Sequence, residues 1–293
     1  MVRQLAMVLL VALCPLASGA TIRVVTTLPD LANFVQEVGG DRVKVDFIVR
    51  GDQNPHFVEV KPSYMMKLKS ADLFFLIGMD LELWAPQIID GSRNASLTVV
   101  DLSKNIQKLE VPGKVDASMG DVHRYGNPHY WLDPRNVRMM VQDIVAALSA
   151  VSPADAQLFR ANAEGYLKRL DVSIREWEQI MRPFAGAKIL TFHTSWSYFA
   201  QWLNLTVAGQ VEPKPGIQPT PGHTSELMQL VRSAGIKAIV VEPFYDPTAA
   251  EQIARSGNAR VVRLATSSGG VDEAKDYISL MGYDVRTLAE ALR

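Results

Sequence analysis

Ser152-Pro153-Ala154-Asp155-Ala156-Gln157-Leu158-Phe159 opens the segment that decides the fold, and the segment runs on to Pro183. Ser152 offers an N-cap, Pro153 suits the first helical position, and Asp155 adds an early acidic residue. Phe159, Ala163, Tyr166, Leu170, Ile174, Trp177 and Met181 then recur at spacings of three or four, the period of one helix face. Pro183 and Gly186 stop the pattern. Such a helix is roughly 40 Å long at its rise per residue, enough to run along two lobes rather than one. A long surface helix would carry the same stripe, and the spine reading is preferred.

On either side, strand-like and helix-like segments alternate. Ile22–Thr27, Val43–Val49, Leu73–Ile77 and Leu97–Asp101 are short runs rich in Val, Ile, Leu, Phe and Thr; Lys188–Phe192, Leu205–Val211, Lys237–Val241 and Arg260–Leu264 form a second set. Helical patterns over Leu31–Val38 and after Pro62-Ser63 fall between them. The expected fold is α/β, two lobes that are each a mainly parallel sheet with flanking helices, joined by one long spine helix. The expected division is 1–20 signal peptide, 21–151 N-terminal lobe, 152–182 linking helix and 183–293 C-terminal lobe.

Met1-Val2-Arg3, the apolar run Leu5 to Leu16 and the small residues Ala17-Ser18-Gly19-Ala20 read as a secretory signal cut after Ala20. The single cysteine, Cys14, lies inside it; Leu13 before it is bulky where lipid-attachment signals carry a small residue, so a lipid anchor is disfavoured. The expected location is periplasmic. A mature chain without thiols cannot build its metal site on sulfur. With 30 Lys+Arg against 31 Asp+Glu, nothing suggests nucleic acid or a membrane surface, and a monomer is expected.

Only 5 histidines occur in 293 residues, and three sit in ligand-like settings: Asn54-Pro55-His56, Asn127-Pro128-His129 and Thr191-Phe192-His193-Thr194. They are too far apart for a local finger, so only the whole fold can bring them to one ion. His193 follows a predicted strand directly, as does Glu242, at the sheet edges where parallel α/β structures place ligands. Asp133-Pro134 reads as the start of the helix after His129. A proline before each of His56 and His129 reduces the entropy lost on ligation. Taken singly, a loop histidine is usually solvated; the joint placement carries the argument. His123, among Gly, Asp, Arg and Tyr, reads as a solvated loop residue, and His223, beside the helix start Thr224-Ser225-Glu226, as structural. Trp131 and Trp196 lie near enough in sequence to exclude water from the site, although both also suit an ordinary core.

Asn-Pro-His-Phe-Val-Glu-Val-Lys-Pro-Ser (54–63), Ser70-Ala71-Asp72-Leu73, Gly78 to Trp84, Asn127 to Pro134, His193 with Tyr198-Phe199, Glu212-Pro213 and Val241-Glu242-Pro243 stand in one order along the chain. Together they resemble the zinc- and manganese-binding receptors, or solute-binding proteins, of bacterial ABC transporters, zinc-type subgroup, over essentially the whole mature chain. The resemblance implies two lobes on one long helix, a cleft-bound ion, and ligands at His56, His129 and His193. It implies Zn²⁺ rather than Mn²⁺, because His stands at the third position where manganese receptors tend to have Glu; nitrogen-rich sites agree. The implied partner is the membrane permease subunit of an ABC transporter.

The departure is at the fourth ligand. Where the family usually has Asp in a Leu-Asp-Pro-like segment, this chain reads Leu264-Ala265-Thr266-Ser267. Glu242 is the preferred replacement, with Asp246 or water as alternatives and a supporting role behind a histidine as the competing reading of Glu242. The long His-rich acidic loop of many zinc-type members is absent; Asp116–Gly126 holds a single histidine. The expected function is a receptor that captures Zn²⁺ for import, not an enzyme, with affinity falling as pH drops through the histidine range. Alternatives are a periplasmic zinc-dependent hydrolase using an open fourth position, and a metal chaperone or adhesin on the same fold.

Overall fold

Two four-stranded parallel sheets carry the chain in the computed structural model, which describes residues 21–113, 123–214 and 216–293. In the first lobe come β1 (Ile22–Thr26), α1 (Pro29–Gly39), β2 (Val43–Phe47), α2 (Pro62–Lys69), β3 (Leu73–Leu76), α3 (Ala85–Ser92) and β4 (Thr98–Asp101). After α4 (Val137–Val151) and α5 (Ala156–Met181) follow β5 (Lys188–Thr191), α6 (Ser197–Trp202), β6 (Thr206–Gln210), α7 (Pro221–Ala234), β7 (Ala238–Val241), α8 (Thr248–Arg255), β8 (Arg260–Arg263) and α9 (Tyr277–Leu292). The sheet orders are β2-β1-β3-β4 and β6-β5-β7-β8, the same pattern twice. Each order reverses direction between its two central strands, and the crevice beyond that point is where such sheets hold ligands.

All eight expected strands form, shortened at their ends by one or two residues. The signal-peptide segment, with Cys14, lies outside the described residues. Among those residues no helix is long and apolar enough to cross a membrane.

The 26-residue α5 packs against α1, α4 and α9, so it touches helices from both halves of the chain. Its stripe buries Phe159, Ala163, Tyr166, Leu167, Leu170, Trp177 and Met181, with Ile174 only partly covered. The start differs from the sequence expectation. Pro153–Asp155 is a 3-10 turn, and Ser152 does not cap α5; its hydroxyl donates to Asp155 Oδ2 at 2.7 Å, while Asp155 also pairs with Arg42 at 3.2 Å. A carboxylate held against a guanidinium outcompetes the backbone for the hydroxyl. Likewise Asp133-Pro134 does not begin a helix. Asp133 Oδ1 accepts from the Arg135 backbone and the Arg135 guanidinium, holding a turn that delays α4 to Val137.

One apolar core runs through the first sheet, the helices around α5 and one face of the second sheet. A separate cluster, including Leu190, Leu227, Val231, Ile239 and Ile253, fills the other face under α7 and α8. Polar bonds pin the lobes together at the cleft base. Buried Asp30 at the N-terminus of α1 accepts from Ser267 Oγ and from Ser268 N (3.0 Å), and Trp131 Nε1 donates to Thr266 O at 2.8 Å. The backbone of Gly51 lies against Ser268 so closely that an added Cβ would come within 2.0 Å of Ser268 O. Only glycine fits there.

Candidate metal centre

His56, His129 and His193 meet in the cleft between the lobes, with one ligand atom of each within 4.8 Å of the others. His193 emerges two residues past β5, beside the point where the second sheet's order reverses. His56 arrives on the loop after β2, and His129 on the segment between β4 and α4.

The two Asn-Pro-His motifs fold alike, which explains why the sequence repeats them. In each, the Asn Oδ1 accepts from the His backbone N–H two residues on, at 3.0 Å for Asn54 and 3.0 Å for Asn127. This Asx turn with a proline at its corner fixes the direction in which the histidine leaves the chain. Asn127 does more. Its Oδ1 also accepts from His129 Nδ1 at 2.9 Å, and its Nδ2 donates to Glu110 Oε2 and Thr194 O, both at 2.8 Å. Those two acceptors settle the amide orientation, so His129 carries its proton on Nδ1 and turns the Nε2 lone pair to the cleft. His193 is set the same way by Glu212, whose Oε2 accepts a hydrogen bond from Nδ1–H at 2.8 Å. His193 Nε2 is buried and has no hydrogen-bond partner among the described residues.

The Nε2 atoms of His56 and His129 face each other at 3.1 Å. Two nitrogens bound to one tetrahedral zinc lie about 3.3 Å apart, so the pair is already at ligand spacing. The ring centres of the three histidines are 5.1, 5.2 and 5.4 Å apart. Burial drives the pKa values of His56 and His129 well below the ordinary 6.5, and the neighbouring rings add to the effect. Both imidazoles are therefore neutral over a wide pH range, the form that ligates.

Glu242 is fully buried at the end of β7, but it stands apart from the three-histidine group. Its Oε1 accepts from Ser195 Oγ at 2.7 Å and Trp196 Nε1 at 3.1 Å, while Oε2 lacks a partner among the described residues. Burial raises its pKa; the imidazole of His193, near enough to act through its charge, pulls the other way. Asp246 is exposed, with Oδ1 taken by the Thr248 N–H and hydroxyl at the start of α8. Ala265 is buried, and its N–H donates to Asp284 Oδ1 at 3.0 Å. Trp131 and Trp196 are both buried, Trp131 with its ring 5.4 Å from that of His129.

His223 is structural as expected: its Nε2 meets Gln210 O at 2.9 Å, tying the start of α7 to the end of β6. The expectation of a solvated His123 is overturned. Its ring stacks on His56 with centres 5.0 Å apart, and its Nε2 is buried without a partner among the described residues. Arg124, paired with Asp80 at 2.9 Å, and Gly126, at φ +105°, turn this segment back over the cleft. A Cβ on Gly126 would stand 2.7 Å from Leu109 O, so the turn requires glycine. Glu212 was visible only as part of Glu212-Pro213; nothing local pairs it with a histidine 19 residues earlier.

A family model described as zinc-uptake complex component A, periplasmic (ZnuA), matches residues 24–291. The manganese-binding lipoprotein MntA of Halalkalibacterium halodurans is 25% identical over 280 residues, 94% of this chain and 89% of that protein. The zinc-binding lipoprotein AdcA of Streptococcus pneumoniae is 22% identical over 277 residues, 92% of this chain but 55% of that longer protein. A crystal structure of ZnuA aligns with a TM-score of 0.81 at 25% identity, over 93% of this chain and 100% of that one.

Proposed function

This chain belongs to the ZnuA family, metal-binding receptors of ABC transporters rather than enzymes, and we propose that it captures Zn²⁺ in the interlobe cleft for import. His56, His129 and His193 bind the ion as neutral imidazoles, and a membrane permease receives it. The observation that carries this reading is the group of three ligand atoms within 4.8 Å of one another, two of the rings oriented by Nδ1 bonds to Asn127 and Glu212. Such bonds behind metal-binding histidines fix the tautomer and raise basicity.

Zinc is favoured over manganese because three nitrogens and no mandatory oxygen ligand suit the borderline-soft ion, whereas Mn²⁺ seeks oxygen. Relatives named for each metal leave the choice to the donor set. In this reading Glu242 keeps its bonds to Ser195 and Trp196 and lends negative charge beside His193, offsetting the ion's charge in a dry site. Export to the periplasm as a soluble monomer through the leader 1–20 belongs to the same proposal.

Competitive titration of chelator-stripped protein with Zn²⁺ and Mn²⁺, read by tryptophan fluorescence and bound metal, tests it. One tight zinc equivalent that excess manganese does not displace is expected. H56A should lose that equivalent while keeping its circular dichroism spectrum. Manganese preference would overturn the metal, and unchanged zinc affinity in H56A would overturn the ligand set.

A further inference from the structure

We propose that His123 supplies the fourth ligand of the metal centre, in place of the carboxylate that Ala265 cannot provide. The inference rests on the three-histidine reading and extends it. Around a tetrahedral zinc held by imidazoles, ring centres stand about 5 Å apart. His56 has three such neighbours: His123 at 5.0 Å, His129 at 5.1 Å and His193 at 5.2 Å. The fourth ring therefore borders the group through His56 and lies outside it on the far side, with its centre 6.3 Å from that of His129.

The chemistry of His123 matches its neighbours. Its Nε2 is buried and has no hydrogen-bond partner among the described residues, an expense that a surface loop histidine has no reason to bear. Asp80 lies near the ring, and a proton held on Nδ1 leaves the buried Nε2 lone pair free for an ion. The segment is held by Arg124 on Asp80 and by the Asn127 N–H donating to Leu109 O at 2.8 Å. His123 stands outside the group whose ligand atoms lie within 4.8 Å of one another, so this tethered segment must move in when the ion binds.

Glu242 is the competitor. Its Oε1 is already committed to Ser195 and Trp196, while its buried Oε2 lacks a partner among the described residues and is the rival donor. Four neutral imidazoles leave the dication's charge to be balanced from outside, which gives buried Glu242 and Glu212 their place.

X-ray absorption of the zinc-loaded full chain, expressed for export, counts the imidazoles directly. Four are expected in the wild type and three in H123A, with zinc affinity in H123A lower by roughly 100-fold or more, beyond the 10–100-fold typical of losing a mere supporting partner. The Co²⁺ spectrum of H123A should shift from that of the wild type, because an oxygen donor replaces a nitrogen at the fourth position. Three imidazoles plus oxygen in a wild type that still binds one tight zinc would overturn His123 as ligand and leave the receptor reading standing. Equal affinities and equal Co²⁺ spectra for wild type and H123A would overturn it too. A wild type that takes up no zinc equivalent would instead sink the receptor reading on which the inference stands.

Discussion

Glu212 Oε2 and His193 Nδ1 lie 2.8 Å apart, both side chains buried, in a contact between the loop after β5 and the loop after β6. The two strands are neighbours in the sheet, so the pairing is a product of the parallel register and not of local sequence. The carboxylate leaves His193 one way to present itself: Nδ1 protonated, Nε2 open. E212Q, which can mis-set that tautomer, should weaken zinc binding about 10–100-fold with little change in the fold. Chelator competition at pH 7.5 measures it. An unchanged affinity would mean that the tautomer is set elsewhere.

The two Asn-Pro-His motifs predict unequal mutants. Asn54 makes two of the observed bonds, to the His56 N–H and, at 3.3 Å, to the Tyr245 hydroxyl. Asn127 makes four and is buried. N127A strands a backbone N–H, an imidazole N–H and two acceptors, so it should cost about 2–4 kcal/mol of stability and most of the zinc affinity. N54A should cost about 1 kcal/mol. Urea unfolding of the two variants without metal decides it, and equal losses would refute the ranking.

The fold was legible because its signals are periodic. Eight apolar runs became eight strands, and the stripe from Phe159 to Met181 became the spine, since burial on two sheet faces or one helix face leaves a repeating mark. His56, His129 and His193 were found because proline-fixed and strand-end positions are themselves local. What failed was short-range competition between polar groups: Ser152 drawn to Asp155, and Asp133 to Arg135. Periodicity is silent about such contests. His123 was misread for a related reason. Its burial depends on Arg124 reaching Asp80, 44 residues earlier, and no composition around His123 records that.

Proton competition should set in at lower pH than ordinary histidines would allow. The sequence alone suggested loss of affinity through the usual histidine range, but burial holds His56 and His129 well below 6.5. These depressed bases stay neutral in the folded chain while the unfolded chain takes up protons below about pH 6.5, so stability without metal also declines there as pH falls. Protonation of His56 and His129 should begin to cost zinc affinity, corrected for the chelator's own protonation, only in buffer more acidic than the ordinary histidine range. A loss steeper than about tenfold per pH unit beginning near 7 would refute this.

A second buried carboxylate gives the opposite pH dependence and a way to separate it. Glu82 occupies the order-reversal point of the first sheet, as Glu242 does that of the second. Its Oε1 accepts from Thr27 Oγ1 at 2.7 Å and Ile77 N at 2.8 Å, and its Oε2 from Gly78 N at 3.0 Å, so it closes the ends of β1 and β3. Burial outweighs these bonds and pushes its pKa up to about 7. The folded chain therefore holds this proton where the unfolded chain has lost it. The resulting stability is complete below about pH 4.5 and is lost as pH rises to about 7, on the order of 3 kcal/mol in all. E82Q lowers stability at every pH, because its amide turns a donor toward the Gly78 N–H, but it removes this slope. Urea unfolding at pH 5, 6, 7 and 8 should show wild type losing ground to E82Q with each step up to about 7 and none beyond. Asp30 and Asp284, also raised by burial, are common to both proteins and cancel in the difference. Parallel curves for the two proteins would mean that Glu82 is ionised throughout, with its three donors outweighing burial.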